Sequence, residues 1–139
     1  HTKAFTVLEL IIVVGVLALI AAFAIPNYTK SVERTRLKIA TSNLVSIYSA
    51  EKIYQAQNNY YWPNGSTDSS IPSINSNLKL NIIDDGTVVY SCTGAAATFN
   101  CTAVRQASSS YPFTLTLTEA SLDFKNAATL NPKCISNCP

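Results

Sequence analysis

The most constraining feature of this chain is a long apolar run near its start that carries one carboxylate. Residues 5–25 are dominated by Leu, Ile, Val and Ala, and no residue between positions 10 and 26 is charged. About 20 such residues are enough for a helix to cross a bilayer. Glu9 lies inside the run, and an acid at membrane depth costs about 3 kcal/mol on insertion scales. The sequence therefore predicts a membrane helix in which Glu9 has a function that requires a cationic partner.

Two other interpretations explain this run less completely. A cleaved signal peptide has a basic start, which Lys3 supplies, and a small-residue cleavage site, which Ala22 to Ala24 could supply. Here, however, Ile25 and Pro26 follow, and a helical pattern continues beyond them. A plain membrane anchor leaves Glu9 unexplained, unless that residue simply contacts water at the interface.

The residues of this run also match a known family. Phe-Thr-Val-Leu-Glu at residues 5–9, followed by Gly15 and Pro26, resembles the N-terminal segment of type IV pilins and of type II secretion pseudopilins. The resemblance implies that prepilin peptidase cuts between Ala4 and Phe5, that the new N-terminus is often methylated, and that Glu9 becomes the fifth mature residue. It also implies that Glu9 pairs with the N-terminal amine of Phe5 in an adjacent subunit and so sets the axial register of assembly.

Residues 1–4 are expected to be a leader remnant or an N-terminal extension. The family normally has Gly where this chain has Ala4, so a cut before Phe5 and a cut before His1 remain alternatives. If the four residues stay attached, the α-amine of His1 or the side chain of Lys3 would have to pair with Glu9 instead.

Beyond Pro26 the pattern changes to that of an amphipathic helix. Apolar residues recur at three- and four-residue steps, and most charged residues lie between them. The apolar set is Val32, Leu37, Ala40, Leu44, Ile47, Tyr48 and Tyr54, and the charged set is Lys30, Glu33, Arg34, Arg36, Lys38, Glu51 and Lys52. A helix over residues 5–58 would be about 80 Å long at about 1.5 Å per residue. We therefore expect its first half to project and to bind other chains.

Gly15 and Pro26 are the predicted helix-break positions. In a helix interior Gly costs about 1 kcal/mol and Pro about 3 kcal/mol relative to Ala. The resemblance implies that the stretch between them becomes extended in assembled pili, and a kinked helix is the alternative.

The remaining pattern predicts an α+β fold, with the long helix packed on a small antiparallel sheet of three or four strands. We expect an apolar segment at residues 5–29, an amphipathic helix at 30–58, a connecting loop at 59–86, and a sheet and disulfide-closed region at 87–139. Pro63 and Gly65 mark the helix end, and Pro72 lies within the Ser- and Asn-rich loop. The predicted strands are residues 87–93, 98–104, 113–118 and 121–125, of which the first two form a hairpin.

The four cysteines all lie beyond the apolar run. An even number predicts disulfides, with three pairings open, and hence an oxidising compartment. We favour Cys92 with Cys101, because both lie on the predicted hairpin, and Cys134 with Cys138, which closes the tail. Zinc is the alternative, but paired CxxC spacing is missing and His1 is far away in the sequence.

Nothing in the sequence indicates an enzyme, a cofactor or a bound nucleic acid. The net charge is +2 with 13% charged residues, and there is no dense basic run. Nucleophile-elbow, phosphate-loop and zinc-helix motifs are missing. Asp84, Asp85 and Gly86 could begin a calcium loop, but they lack alternating oxygen ligands, so a turn is the better interpretation.

The leading hypothesis is a structural subunit that polymerises through its N-terminal helix into an extracellular type IV pilus on the bacterial surface. Its partners would be further copies of itself, prepilin peptidase, the pilus assembly machinery and, before assembly, the inner membrane. The alternative is a pseudopilin that forms a short periplasmic filament. The cysteines favour the pilin, because calcium commonly does the equivalent work in major pseudopilins. A membrane-tethered binding protein is a third hypothesis and predicts no filaments. Adhesion, motility, DNA uptake and electron transport remain open as roles of the filament.

Overall fold

A computed structural model describes residues 6–105 and 112–120 of the chain and gives it an α+β fold. Two compact units meet in the sequence between Thr35 and Arg36. Helix α1 (Val7–Asn58) contributes residues to both units. The sheet and a second helix belong to the unit that begins at Arg36.

Helix α1 is continuous and ends where the sequence predicts. Its backbone is helical through Gly15 and through Pro26, so neither residue ends it in the single chain. At its C-terminal end Asn59 adopts a left-handed conformation with φ of 65°, and its amide donates to the Gln55 carbonyl at 2.8 Å. Asn is one of the few non-glycine residues that adopt this cap conformation readily.

The C-terminal part of α1 packs one face into the core of the second unit. Leu37, Ala40, Leu44 and Ile47 are buried, as their three- and four-residue spacing predicts. Glu51, which belongs to the predicted charged set, is fully buried. Glu51 lies on the buried face because it follows Ile47 by four residues, as Ile47 follows Leu44 by three.

Residues 59–86, predicted as a loop, contain two short elements. Strand β1 (Thr67–Asp68) is followed by helix α2 (Ile71–Leu78). Pro72, which suggests a loop, lies in the first turn of α2, where a missing amide costs nothing. Asp68 anchors this turn by accepting from the Ser70 amide at 2.8 Å and the Ser73 hydroxyl at 2.6 Å. Three apolar residues of α2, spaced for one helix face, are buried: Ile71, Ile74 and Leu78.

The sheet has four antiparallel strands in the order β1-β2-β3-β4. Strands β2 (Val88–Gly94), β3 (Phe99–Arg105) and β4 (Phe113–Thr118) match three predicted strands within one or two residues. The fourth strand is β1, and the strand predicted at residues 121–125 lies outside the described residues. Buried and less buried side chains alternate along β2 to β4, so one face of the sheet packs into the core.

The disulfide between Cys92 and Cys101 joins directly opposite residues of β2 and β3. This is the pairing that the sequence favours. Cys134 and Cys138, the other proposed pair, lie outside the described residues.

The segment after α1 is held on the turn between β2 and β3 by backbone hydrogen bonds. The Tyr61 amide donates to the Ala95 carbonyl at 2.9 Å, the Gly94 amide to the Pro63 carbonyl at 3.2 Å, and the Gly65 amide to the Gly94 carbonyl at 2.8 Å. A Cβ on Gly94 would lie 2.5 Å from the Trp62 carbonyl oxygen. Glycine is therefore required at position 94 by a close backbone approach.

Candidate assembly surface

The first described turns of α1 expose apolar side chains on every side. All side chains from residue 6 to residue 25 are exposed, and Val7 and Phe23 each keep 75% of their surface. A helix that is apolar all round must be covered by lipid or by other chains. Within the described residues, α1 is the helix with the length and composition to cross a membrane.

Glu9 and Thr6 form a capping box at the start of this helix. The Thr6 amide donates to Glu9 Oε2 at 2.9 Å, and the Glu9 amide donates to Thr6 Oγ1 at 3.2 Å. The Thr6 hydroxyl donates to the same Oε2 at 2.8 Å. The pair satisfies backbone donors that the first turn of a helix otherwise leaves without partners. Glu9 therefore has a local structural role in addition to any role in assembly.

The capping box leaves part of the Glu9 carboxylate available. Both hydrogen bonds from Thr6 go to Oε2, and an ionised carboxylate offers about four lone-pair sites. A cation can therefore bind at Oε1 while the capping box stays intact. Ala4 and Phe5, the predicted cleavage site and source of the pairing amine, lie outside the described residues.

The two predicted helix-break residues differ in what the structure describes of them. Around Gly15 no heavy atom lies within 4 Å of the position that a Cβ would take. The described chain therefore imposes no steric need for glycine there. Any such need would come from a neighbouring molecule or from a change of backbone conformation. Of Pro26 only the helical backbone is described.

A second exposed apolar surface lies in the unit that begins at Arg36. It is an open groove of about 480 Å³ between α1 and the end of α2. Val45 and Ile53 of α1 line one side, and Leu78 and Leu80 line the other. Lys79 is the charged residue among those that form the groove.

Three curated proteins are similar to this chain over less than half of its length. It is 37% identical over 61 residues to the type IV major pilin protein PilA of Myxococcus xanthus, a match that covers 44% of this chain and 28% of that protein. It is 34% identical over 64 residues to the type IV wide pilus major component PilA4 of Thermus thermophilus, covering 46% of this chain and 49% of that protein. The third, type II secretion system core protein G of Pectobacterium carotovorum, is 34% identical over 59 residues, or 42% of this chain and 38% of that protein.

These matches support the resemblance to type IV pilins and type II secretion pseudopilins that the sequence indicates. It spans between 28% and 49% of the length of the curated relatives that it matches. No family description and no solved structure matches it. Both a pilus and a secretion system are represented among these relatives.

Two residues that the sequence did not single out occupy distinctive positions in the structure. Thr6 is the partner of Glu9, and the spacing Thr-x-x-Glu ahead of an apolar run is itself a capping-box signal. Glu51 is buried within the core, and its spacing from Leu44 and Ile47 was the available signal. In both cases the local pattern was present but was interpreted differently: Thr6 was considered only as part of the Phe-Thr-Val-Leu-Glu motif, and Glu51 was grouped with the charged residues.

Proposed function

We propose that this chain is a structural subunit that polymerises through its N-terminal helix into an extracellular type IV pilus. The observation that carries the proposal is the exposed apolar surface of residues 6–25, with Glu9 near its start. Burying each large apolar side chain on such a surface contributes about 1.5 to 3 kcal/mol. Lipid covers this surface in an inner-membrane pool, and the helices of other subunits cover it in the filament.

Glu9 gives this association its register. A carboxylate among packed apolar helices is costly unless a cation reaches it. Its proposed partner is the N-terminal amine of Phe5 in an adjacent subunit, exposed when prepilin peptidase cuts after Ala4. The bonds from Thr6 already restrict the Glu9 side chain, so less conformational entropy is lost when the amine binds. The pilus assembly machinery would move the subunit from the membrane pool into the filament.

A pseudopilin is the second candidate, because core protein G of a type II secretion system is among the relatives. It would use the same helix in a short periplasmic filament. The disulfide between Cys92 and Cys101 favours the pilin, since calcium commonly does the equivalent work in major pseudopilins.

Electron microscopy of material sheared from cells tests the proposal directly. Antibodies raised against the chain should label long surface fibres, and those fibres should be missing from a deletion strain. If wild-type cells carry no fibres that contain the chain, the pilus proposal is wrong. Loss of protein secretion in the deletion strain, without loss of fibres, would support the pseudopilin instead.

A further inference from the structure

Glu51 is a buried acid that the proposed assembly mechanism does not use. Its side chain has 0% exposure in the core between α1 and the sheet. Oε2 accepts a hydrogen bond from the Trp62 backbone amide at 3.0 Å. Oε1 has no hydrogen-bond partner among the described residues. An unpartnered carboxylate oxygen in an apolar core is stable only if the carboxyl is neutral.

The sulfur atoms beside Glu51 do not turn this cluster into a metal site. One carboxylate oxygen of Glu51 and the Sγ atoms of Cys92 and Cys101 lie within 4.8 Å of one another. Both sulfurs are joined in the disulfide, so neither is available as a thiolate ligand. The disulfide is instead part of the low-polarity surroundings of the carboxyl.

Groups on the neighbouring elements leave Glu51 without charge compensation in the described part of the chain. The Lys52 ammonium donates elsewhere, to the Tyr61 hydroxyl at 3.1 Å and the Glu119 carbonyl at 3.3 Å. On the same helix the pKa of Tyr54 is raised by its hydrogen bond to Tyr60 and by burial, and to a smaller extent by the charge of Glu51. Helix α2 contains no titratable residue, and the cysteines of β2 and β3 do not titrate in the disulfide.

We propose that Glu51 is a proton-dependent latch between helix α1 and residues 61–65, closed when its carboxyl is protonated and loosened when it is ionised. The Trp62 amide bonds Oε2 in either protonation state, so the loosening comes from burying an ionised carboxylate whose Oε1 has no partner among the described residues. On either side of Trp62, the backbone is bonded to the turn between β2 and β3 through Tyr61 and Pro63. Ionisation of Glu51 therefore places an uncompensated buried charge at a junction where α1, the following segment and the hairpin meet, which favours opening of that junction.

The direction of the pH dependence follows from the burial of this carboxyl. Burial raises the pKa of Glu51 from 4.5 to about 7, and the Trp62 amide opposes the rise. A carboxyl whose pKa is higher in the folded than in the unfolded chain stabilises the fold fully below its unfolded value. That stabilisation is lost as the pH rises through the folded value. The pH window for this change runs from about 4.5 to about 7.

The test uses the full chain in detergent micelles and compares it with Glu51→Gln, a neutral side chain of the same shape. Trp62 is the single tryptophan, so its fluorescence follows denaturant unfolding at the latch itself. Between pH 4.5 and pH 8 the folding equilibrium constant of the wild type should fall about a hundredfold relative to that of the variant. Parallel pH profiles for the two proteins would overturn the proposal.

Asp68→Asn is the matched control, because its effect has the opposite sign. Hydrogen bonds from Ser73 and Ser70 lower the pKa of Asp68, so its contribution to stability is present above its unfolded pKa and lost in acid. The control should leave the change between pH 4.5 and pH 8 intact. If Glu51→Gln does not fold, NMR of the ¹³C-labelled Glu carboxyls in the wild type decides. Titration of the assigned Glu51 carboxyl near pH 7 supports the latch, and its titration near 4.5 contradicts it.

Discussion

The Glu9 carboxylate accepts hydrogen bonds from both the amide and the hydroxyl of Thr6, at 2.9 and 2.8 Å, on the exposed first turn of α1. The acid that we propose to guide assembly is therefore already held by its own helix. Both bonds use Oε2, so capping and pairing with an amine do not compete for the same oxygen. This arrangement separates two roles of Glu9 that mutations can test independently.

Glu9→Ala should leave membrane insertion intact or improve it, because the substitution removes a charge from an apolar helix. Filament yield should fall strongly, because the amine of the adjacent subunit loses its carboxylate. Thr6→Val is the matched variant: it removes the hydroxyl cap, at a cost of about 1 kcal/mol to the helix end, but keeps the Glu9 charge. Its filament yield, measured in the sheared fraction, should fall less. Normal yield from Glu9→Ala would remove the assembly role of Glu9.

Gly15→Ala should stabilise α1 in the single chain by about 1 kcal/mol, because Ala is the better helix former and no atom lies within 4 Å of the new Cβ. In the filament the same change should favour helix over extended chain near residue 15. A reconstruction of the variant filament would measure this as a longer helical stretch than in the wild type. Identical helical extents in both filaments would show that Gly15 is not a helix-break residue.

Replacing both Cys92 and Cys101 by Ser should lower the free energy of unfolding by about 2 to 3 kcal/mol, the value expected for a short closed loop. The double variant avoids a free thiol that could form unwanted disulfides. Denaturant unfolding of the wild type with and without a reductant gives an independent comparison. Equal stability of the oxidised wild type and the double variant would mean that the disulfide does not stabilise the fold.

Gly94→Ala should lower the free energy of unfolding by about 1 to 3 kcal/mol, the usual range for overpacking. The new Cβ would lie 2.5 Å from the Trp62 carbonyl oxygen and 2.6 Å from that of Tyr61, so the backbone of one segment must move. Trp62 fluorescence reports on the displaced segment directly. Unchanged unfolding and fluorescence would show that this approach is looser than the structure describes.

Much of the fold could be predicted because local sequence patterns indicate its main elements. Two strand-prone runs that flank the short connection at residues 94–97 located the hairpin, and the position of Cys92 and Cys101 on that hairpin indicated their disulfide. Strand β1, by contrast, has only two residues, too few for a periodic signal. Helix α2 was missed because Pro72 was interpreted as a loop residue, although proline also begins helices.

The sequence predicted some features of the candidate assembly surface and missed others, because only some of them depend on local patterns. The long apolar surface follows directly from composition, and Glu9 is conspicuous because it is the single charge within that surface. The partnership with Thr6 depends on side-chain geometry at one helix end. The burial of Glu51 depends on which face of α1 meets the sheet, and a charged residue type suggests the opposite. Tertiary packing, rather than local sequence preference, determined that position.

A reconstruction of native filaments by electron cryomicroscopy is the most direct test of the proposed assembly, because it shows which residues contact neighbouring subunits. We expect a fibre in which residues 6–25 of every subunit lie in the interior, covered by the same segment of other copies, with Glu9 next to the N-terminal amine of an adjacent subunit. A fibre built through other surfaces, with residues 6–25 outside the subunit contacts, would contradict it.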